Sequence, residues 1–186
     1  MKLMFSNNLC AAYLVEIIGC FEKYHRKGYL GRTAMQKIAY FCQATGVPIP
    51  CSFEIYNYGP YSDQVTFSID SLLADEVICD RSHSPSAYSN YRISSEGLRF
   101  LTEFESRIEP HREQIERVVA GLGGFKPQQL ELIATLHFLA ARRRSISGRS
   151  PSKNEVLSAF FSVKGNKFDK AEVGAWYDSL KEARLA

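Results

Sequence analysis

Tyr-Asn-Tyr-Gly-Pro-Tyr-Ser at residues 56–62 lies at the centre of the stretch, residues 51–97, that decides the fold. Just before it, residues 52–56 alternate in polarity and are rich in aromatic and β-branched side chains, which predicts a short strand. The Gly-Pro pair is predicted to end that strand, because proline has no amide hydrogen for a ladder and glycine permits a turn. Ser62 is then predicted to cap a helix that places on one face Val65, Ile69, Leu72 and Leu73.

The remainder of this stretch predicts two short strands, at residues 77–79 and 90–93, joined by a polar loop. A helix followed by such a strand pair is typical of the wing of a winged-helix unit. Upstream, one helix is predicted to be capped by Asn8 and another to open with a capping box at residues 33–36. We therefore predict a mainly α protein with a small β component, in which a winged-helix-like core is followed by a C-terminal helical extension.

Downstream, apolar spacing predicts a long helix over residues 98–122, which Pro110 should kink or split because proline cannot donate the helical hydrogen bond. Pro127 is predicted to open the next helix, in the first-turn position that tolerates proline. A basic loop without hydrophobic period is predicted at residues 142–151, followed by two short helices that open with capping boxes. The predicted domains are residues 1–125 and 126–186.

The composition is that of a globular protein, with 45% hydrophobic and 23% charged residues among 186. A formal net charge of +3 is too small to indicate nucleic acid as the partner by itself. Five cysteines without close pairs predict free, mostly buried thiols in a reducing compartment. Because no stretch resembles a membrane span or a continuous secretory core, we expect a cytoplasmic protein with no membrane partner.

The helix predicted after Ser62 is acidic, which bears on the winged-helix interpretation. Residues 62–76 contain no lysine or arginine and carry four carboxylates, those of Asp63, Asp70, Asp75 and Glu76. Phosphate contacts supply much of the affinity for DNA, and each requires a nearby cation. An acidic helix would be repelled from the groove that it should read, so the sequence favours a protein as the partner.

Aromatic crowding around the Gly-Pro turn indicates a candidate partner site. Tyr56, Tyr58 and Tyr61 lie within six residues and could line such a site. They could equally pack the turn and the core, as most large aromatic side chains do.

Basic residues give a second set of candidates. Arg32 and Lys37 lie near the first helix–helix loop, and Arg142, Arg143 and Arg144 mark the predicted basic loop. Such residues are often solvated or satisfy helix C-termini. The alternative is an acidic partner, either a protein surface or nucleic acid, with the arginine loop as a flexible contact.

Catalytic patterns are sparse in this sequence. Cys20 and Cys42 fall on apolar helical faces, where burial is commoner than reactivity. The four histidines lack the spacing of a helical zinc pair, and the glycine-rich residues 121–124 lack the lysine of a phosphate loop. We expect no catalytic residues, no metal, no cofactor and no enzymatic activity.

Two segments, residues 31–41 and 53–62, resemble the SocA-like or Panacea domain, including its YwgA-like bacterial branch. In that family a helix with a Gln-Lys pair is followed by a strand, a Tyr-Gly-Pro turn and a further helix. The resemblance covers roughly residues 10–120. It implies a non-catalytic protein-binding module, like antitoxins that neutralise a partner toxin or like a proteolysis adaptor. The residues leave two alternatives open, a nucleic-acid-binding winged-helix regulator and an enzyme whose site is scattered along the sequence.

Overall fold

The computed structural model describes residues 8–82, 89–183 and 185, and it confirms a mainly α protein with a small β component. The described helices are α1 (Leu9–Tyr24), α2 (Arg32–Ala44), α3 (Asp63–Ala74), α4 (Ser95–Ile108), α5 (Arg112–Leu122), α6 (Pro127–Ser147), α7 (Lys153–Lys164) and α8 (Lys170–Glu182). The described strands are β1 (Glu54–Tyr56), β2 (Gly59–Tyr61), β3 (Ile78–Asp80) and β4 (Tyr91–Ile93). None of the described helices is both long and apolar enough to cross a membrane.

The chain forms two compact units. The N-terminal unit comprises the described residues up to Phe53 and those from Tyr61 to Lys126. The C-terminal unit comprises Glu54–Pro60 and the described residues from Pro127 onwards. The predicted boundary after residue 125 lies next to this division, but no sequence pattern indicates that a segment from the middle of the chain groups with the C-terminal helices.

Helix α1 is the central helix of the N-terminal unit, where it packs against α3, α4 and α5. The Asn8 side chain caps it as predicted, by accepting a hydrogen bond from the Ala11 amide at 3.1 Å. The helix is buried on nearly all sides, as expected for a helix that is apolar around its circumference. Its Glu16 carboxylate is also buried, and the Arg112 guanidinium of α5 pairs with it at 2.9 Å.

The predicted capping box at the start of α2 does not form, because the helix begins at Arg32 with Gly31 as its cap. Instead, the buried Gln36 amide reaches the start of α3. Its nitrogen donates to the Ser62 carbonyl at 2.9 Å, and its oxygen accepts from the Ser62 amide at 2.9 Å. Ser62 does precede α3 as predicted, but its hydroxyl makes no cap and bonds the Gln64 side chain.

Strands β1 and β2 form a hairpin with a two-residue turn at Asn57 and Tyr58. The prediction that the Gly-Pro pair ends the strand is therefore wrong, since both residues belong to β2. Gly59 has φ of +88°, a left-handed conformation that glycine adopts without steric cost. Pro60 is tolerated because each strand of a two-stranded sheet has an unpaired edge.

The predicted strand pair after α3 is present as β3 and β4, which run antiparallel with Cys79 opposite Arg92. The Asp80 carboxylate accepts the amides of Ser82 and Asn90 at 2.9 and 2.8 Å, which closes the base of the connecting loop. Residues 83–88 of that loop lie outside the described residues. The interpretation of this arrangement as a winged helix stays a prediction.

Prolines and caps shape the second half of the chain largely as predicted. Helix α4 ends at Ile108, and a short 3₁₀ turn containing Pro110 separates it from α5. Pro127 opens α6, and the Ser152–Glu155 capping box opens α7. Asp169 caps α8 by accepting two backbone amides, although no reciprocal box is recorded there.

Two predictions about residue environment are wrong. The predicted basic loop begins as helix, because α6 continues to Ser147 and arginine is a good helix former that needs no apolar period. The cysteines are not all free, because Cys10 and Cys51 form a disulfide within the N-terminal unit. Cys20, Cys42 and Cys79 are free as predicted.

Candidate partner-binding surfaces

The tyrosine hairpin, residues 54–60, displays two aromatic side chains from the C-terminal unit. Tyr56 is 64% exposed and Tyr58 is 60% exposed. Alternation along a strand and the tight turn account for this display, since neighbouring residues of a strand point to opposite faces. Of the two readings that the sequence left open, exposure therefore holds for these two tyrosines.

A buried ion cluster fixes the tip of the tyrosine hairpin. The Lys164 ammonium donates to the Asn57 carbonyl at 2.7 Å and to the Glu131 carboxylate at 2.8 Å. Lys167 also donates to Glu131, at 2.7 Å, and its ammonium lies 4.8 Å from the centre of the Tyr58 ring. We call Glu131, Lys164 and Lys167 the Glu131 cluster. It joins the hairpin to α6 and α7 within one unit.

The electrostatics of the Glu131 cluster indicate a structural role. The Glu131 and Lys164 side chains are only 3% and 2% exposed. Burial lowers the pKa of Lys164, whereas its hydrogen bond to Glu131 acts in the opposite direction. A buried charge is tolerated when its partner and its hydrogen bonds are in place, as they are here. The cluster therefore holds the hairpin backbone in one position.

The other predicted residues near the start of α2 and α3 belong to the N-terminal unit, whereas the hairpin tyrosines belong to the C-terminal unit. Tyr61 belongs to the N-terminal unit, is half-buried, and accepts a hydrogen bond from the Thr66 hydroxyl at 2.9 Å. Arg32 is exposed but already pairs with Asp70 at 2.9 Å. Lys37 is 1% exposed, so its proposed contact with a partner is corrected: α2 is buried on several sides, and Lys37 lies inside.

Helix α3 exposes a stripe that the sequence analysis only partly identified. The α3 outer face consists of Asp63, Phe67, Asp70 and Ala74, which are all exposed and follow helical spacing. Phe67 is 69% exposed, although it is a large apolar residue. Phe67 is not among the predicted site residues, because the apolar period of α3 indicates only its buried stripe. Its position between Asp63 and Asp70 on the helix surface was the available signal.

The C-terminal half of α6 presents the predicted arginines on a helix. Arg142, Arg143 and Arg144 are exposed, and the first two line a groove of about 380 Å³. The groove is otherwise lined mainly by α6 and α7, and we call it the arginine groove. His137 lies on the same helix, about two turns before Arg144, and is buried. Its pKa is lowered to about 4 by burial and, to a lesser extent, by the charge of Arg144.

The free thiols of the N-terminal unit are poorly suited to nucleophilic chemistry. Burial raises the pKa of Cys20 to about 12, with a further contribution from the Glu16 carboxylate. Burial also raises the pKa of Cys42. Thiolates are the reactive form, so both side chains are expected to act as packing residues. Among the described residues, no group of three or more metal-binding side chains is present.

Comparison with known proteins gives one informative similarity. A segment of 112 residues, 59% of this chain, is 29% identical to the DNA ADP-ribosyl glycohydrolase of Thermus aquaticus and covers 30% of that protein. The chain thus spans less than a third of the length of that relative. Comparison with protein-family models finds no match. Our expectation that the chain has no enzymatic activity is contradicted by this similarity, because the relative is named for a glycohydrolase activity.

Proposed function

We propose that this chain is a partner-binding domain of the antitoxin type, which recognises a protein through the tyrosine hairpin. The observation that carries the proposal is the exposure of Tyr56 and Tyr58 on a turn whose backbone is held by buried Lys164. Tyrosine is enriched among the residues that dominate binding energy at protein interfaces. A backbone that is already fixed loses little conformational freedom on binding, which favours affinity.

The acidic α3 outer face supports a protein partner for the N-terminal unit over the winged-helix regulator. Asp63 and Asp70 flank Phe67 on the exposed side of the helix that a DNA reader would place in the major groove. Arg32 pairs with Asp70, but α3 itself carries no cation. Carboxylates on this face repel phosphates, whereas an exposed phenylalanine among them suits a basic protein surface with an apolar pocket.

The partner that we propose is an ADP-ribosyltransferase that modifies DNA. The relative from Thermus aquaticus is named for acting on ADP-ribosyl DNA, and such a glycohydrolase presupposes a transferase that attaches the group. A domain that binds and neutralises the transferase would serve the same end as removal of its product. The resemblance to toxin-neutralising domains points in the same direction.

The test is binding of the full chain to a transferase encoded beside it, measured by isothermal titration calorimetry. We expect the double variant Tyr56→Ala/Tyr58→Ala to bind about 10- to 100-fold more weakly, as for other interface aromatic residues. Tyr29→Ala is the matched control, because Tyr29 is also 60% exposed but belongs to the N-terminal unit. Unchanged affinity in the double variant, or an equal loss in the control, would refute the role of the hairpin.

A further inference from the structure

The arginine groove has a chemistry that partner binding by the tyrosine hairpin does not use. Arg142 and Arg143 line it together with apolar side chains, those of Leu139, Ile146 and Ala159. Ile146 is 78% exposed, the highest value among the exposed large apolar residues of the described chain. Two guanidinium groups and a highly exposed apolar side chain in one groove indicate a ligand with both anionic and apolar parts.

The charges of the arginine groove are not compensated internally. Within the described part of the chain, no ion pair is recorded for the guanidinium groups of Arg142, Arg143 and Arg144. Arg149 provides the contrast, since it pairs with Glu155 at 2.6 Å. Glu155 also lines the groove, but its carboxylate is already bound by Arg149 and by Ser152. The groove therefore has an excess of positive charge.

We propose that the arginine groove binds single-stranded nucleic acid. The planar guanidinium group binds phosphate oxygens in bidentate fashion, which suits the phosphodiester backbone. Arg142 and Arg143 both line the groove and project about 100° apart around the helix, so they suit two phosphates of one chain better than a single isolated phosphate. The bases of a single strand can be splayed out to contact an apolar side chain such as Ile146, whereas a duplex keeps its bases stacked inside.

Fluorescence anisotropy of a labelled single-stranded DNA of about 16 nucleotides, at increasing salt, tests this proposal with the full chain. Arg142→Gln/Arg143→Gln is expected to lower the affinity by about tenfold or more. It should also reduce the slope of log affinity against log salt by about 1.4, since each phosphate contact to a single strand contributes about 0.7. Ile146→Ser should weaken binding without changing that slope, because its contact is apolar.

The matched control is Lys170→Gln/Lys181→Gln, which removes two exposed cations from α8 and so changes the net charge equally. This control is expected to bind like the unmodified chain. An equal loss of affinity in both double variants would show that binding is only general charge attraction, and it would overturn the proposed site. Tighter binding to a duplex of the same sequence would overturn the preference for a single strand. The tyrosine-hairpin variant should bind the oligonucleotide normally, so this proposal and the proposed function can fail separately.

Discussion

Helix α6 carries two groups of charges that differ in every respect that matters for their roles. Near its start, Glu131 is buried and neutralised by Lys164 and Lys167. Near its end, Arg142 and Arg143 are exposed and form no ion pair with any described residue. A buried pair must be complete to be tolerated, whereas an exposed cation is stabilised by water until a ligand replaces that water. One helix thus combines a structural anchor with a surface for binding.

This contrast explains why position along a sequence is a poor guide to the role of a charge. Lysine and glutamate are usually on the surface, and three adjacent arginines are conspicuous in any chain. In the structure, Glu131 and Lys164 are buried, and the three arginines lie in helix α6 and not in the predicted loop. Substitutions in the buried group should therefore lower stability, whereas substitutions of the exposed arginines should weaken binding and leave stability nearly unchanged.

The largest expected effect comes from Glu131→Ala, which leaves Lys164 buried without its carboxylate partner. We expect the free energy of unfolding to fall by about 3–5 kcal/mol, as for other buried ion pairs that lose one partner. Thermal or urea unfolding of the full chain measures it. Glu172→Ala, on an exposed residue of α8, should stay within about 0.5 kcal/mol. Replacing the pair together, as Glu131→Leu/Lys164→Met, should recover part of the loss. If Glu131→Ala proved as stable as Glu172→Ala, the structural role of the buried charges would be contradicted.

An intermediate effect is expected from His137, a buried titratable residue between the two groups. Its pKa in the folded chain is lowered to about 4, whereas in the unfolded chain it stays near the ordinary value of about 6.5. Below about pH 6.5, the unfolded chain therefore binds a proton at His137 more readily than the folded chain does. The free energy of unfolding should therefore fall by roughly 3 kcal/mol as the pH drops from about 7 to about 4, with no contribution above that range. Urea titrations of the unmodified chain and of His137→Gln at several pH values measure the difference.

Two outcomes decide the interpretation of His137. The His137→Gln variant should show a shallower decline in stability at acid pH, while the carboxylates that titrate in the same range affect both proteins alike. Arg144→Gln removes the smaller cause of the lowered pKa, so the total loss of stability at acid pH should be slightly smaller, while the decline still begins near the ordinary pKa of histidine. Identical pH profiles for the unmodified chain and His137→Gln would contradict the assigned pKa.

The smallest effect on stability is expected from the arginine groove itself. Arg142→Gln/Arg143→Gln breaks no ion pair among the residues that the structure describes, so the free energy of unfolding should change by no more than about 0.5 kcal/mol. Arg149→Gln should lower the unfolding temperature more, because it removes the ion pair with Glu155 beside the cap of α7. Differential scanning calorimetry compares the two. A marked loss of stability in the double variant would assign these arginines to structure.

Local chemistry made much of the fold predictable. The proline positions predict the break between α4 and α5 and the start of α6. Proline lacks the amide hydrogen of a helical hydrogen bond, so its effect is limited to the helix that contains it. The Asn8 cap and the Ser152–Glu155 capping box were also predictable, since their partners lie within a few residues. These signals need no knowledge of distant parts of the chain.

Contacts between distant residues account for what the sequence did not reveal. Gln36 matched a capping box, but it bonds Ser62, 26 residues away, since a buried amide there satisfies the backbone at the start of α3. The partners of the Glu131 cluster come from three separate segments of the chain. Lys37 appeared to be a surface cation, because apolar periodicity cannot indicate that a helix is buried on several sides. Of the candidate sites, the tyrosine hairpin is held by a long-range contact of this kind, from Lys164 to the Asn57 carbonyl.

The hydrogen bond from Lys164 to the Asn57 carbonyl joins residues 107 positions apart, which has a consequence for biosynthesis. At about 5–20 residues per second, the ribosome makes residues 54–60 on the order of 5 to 20 s before it reaches α7. During that delay the hairpin has no lysine to hold its turn. A nascent chain that stalls before α7 emerges would therefore leave the tyrosines on an unanchored segment, and ribosome profiling combined with limited proteolysis of stalled chains would detect that interval.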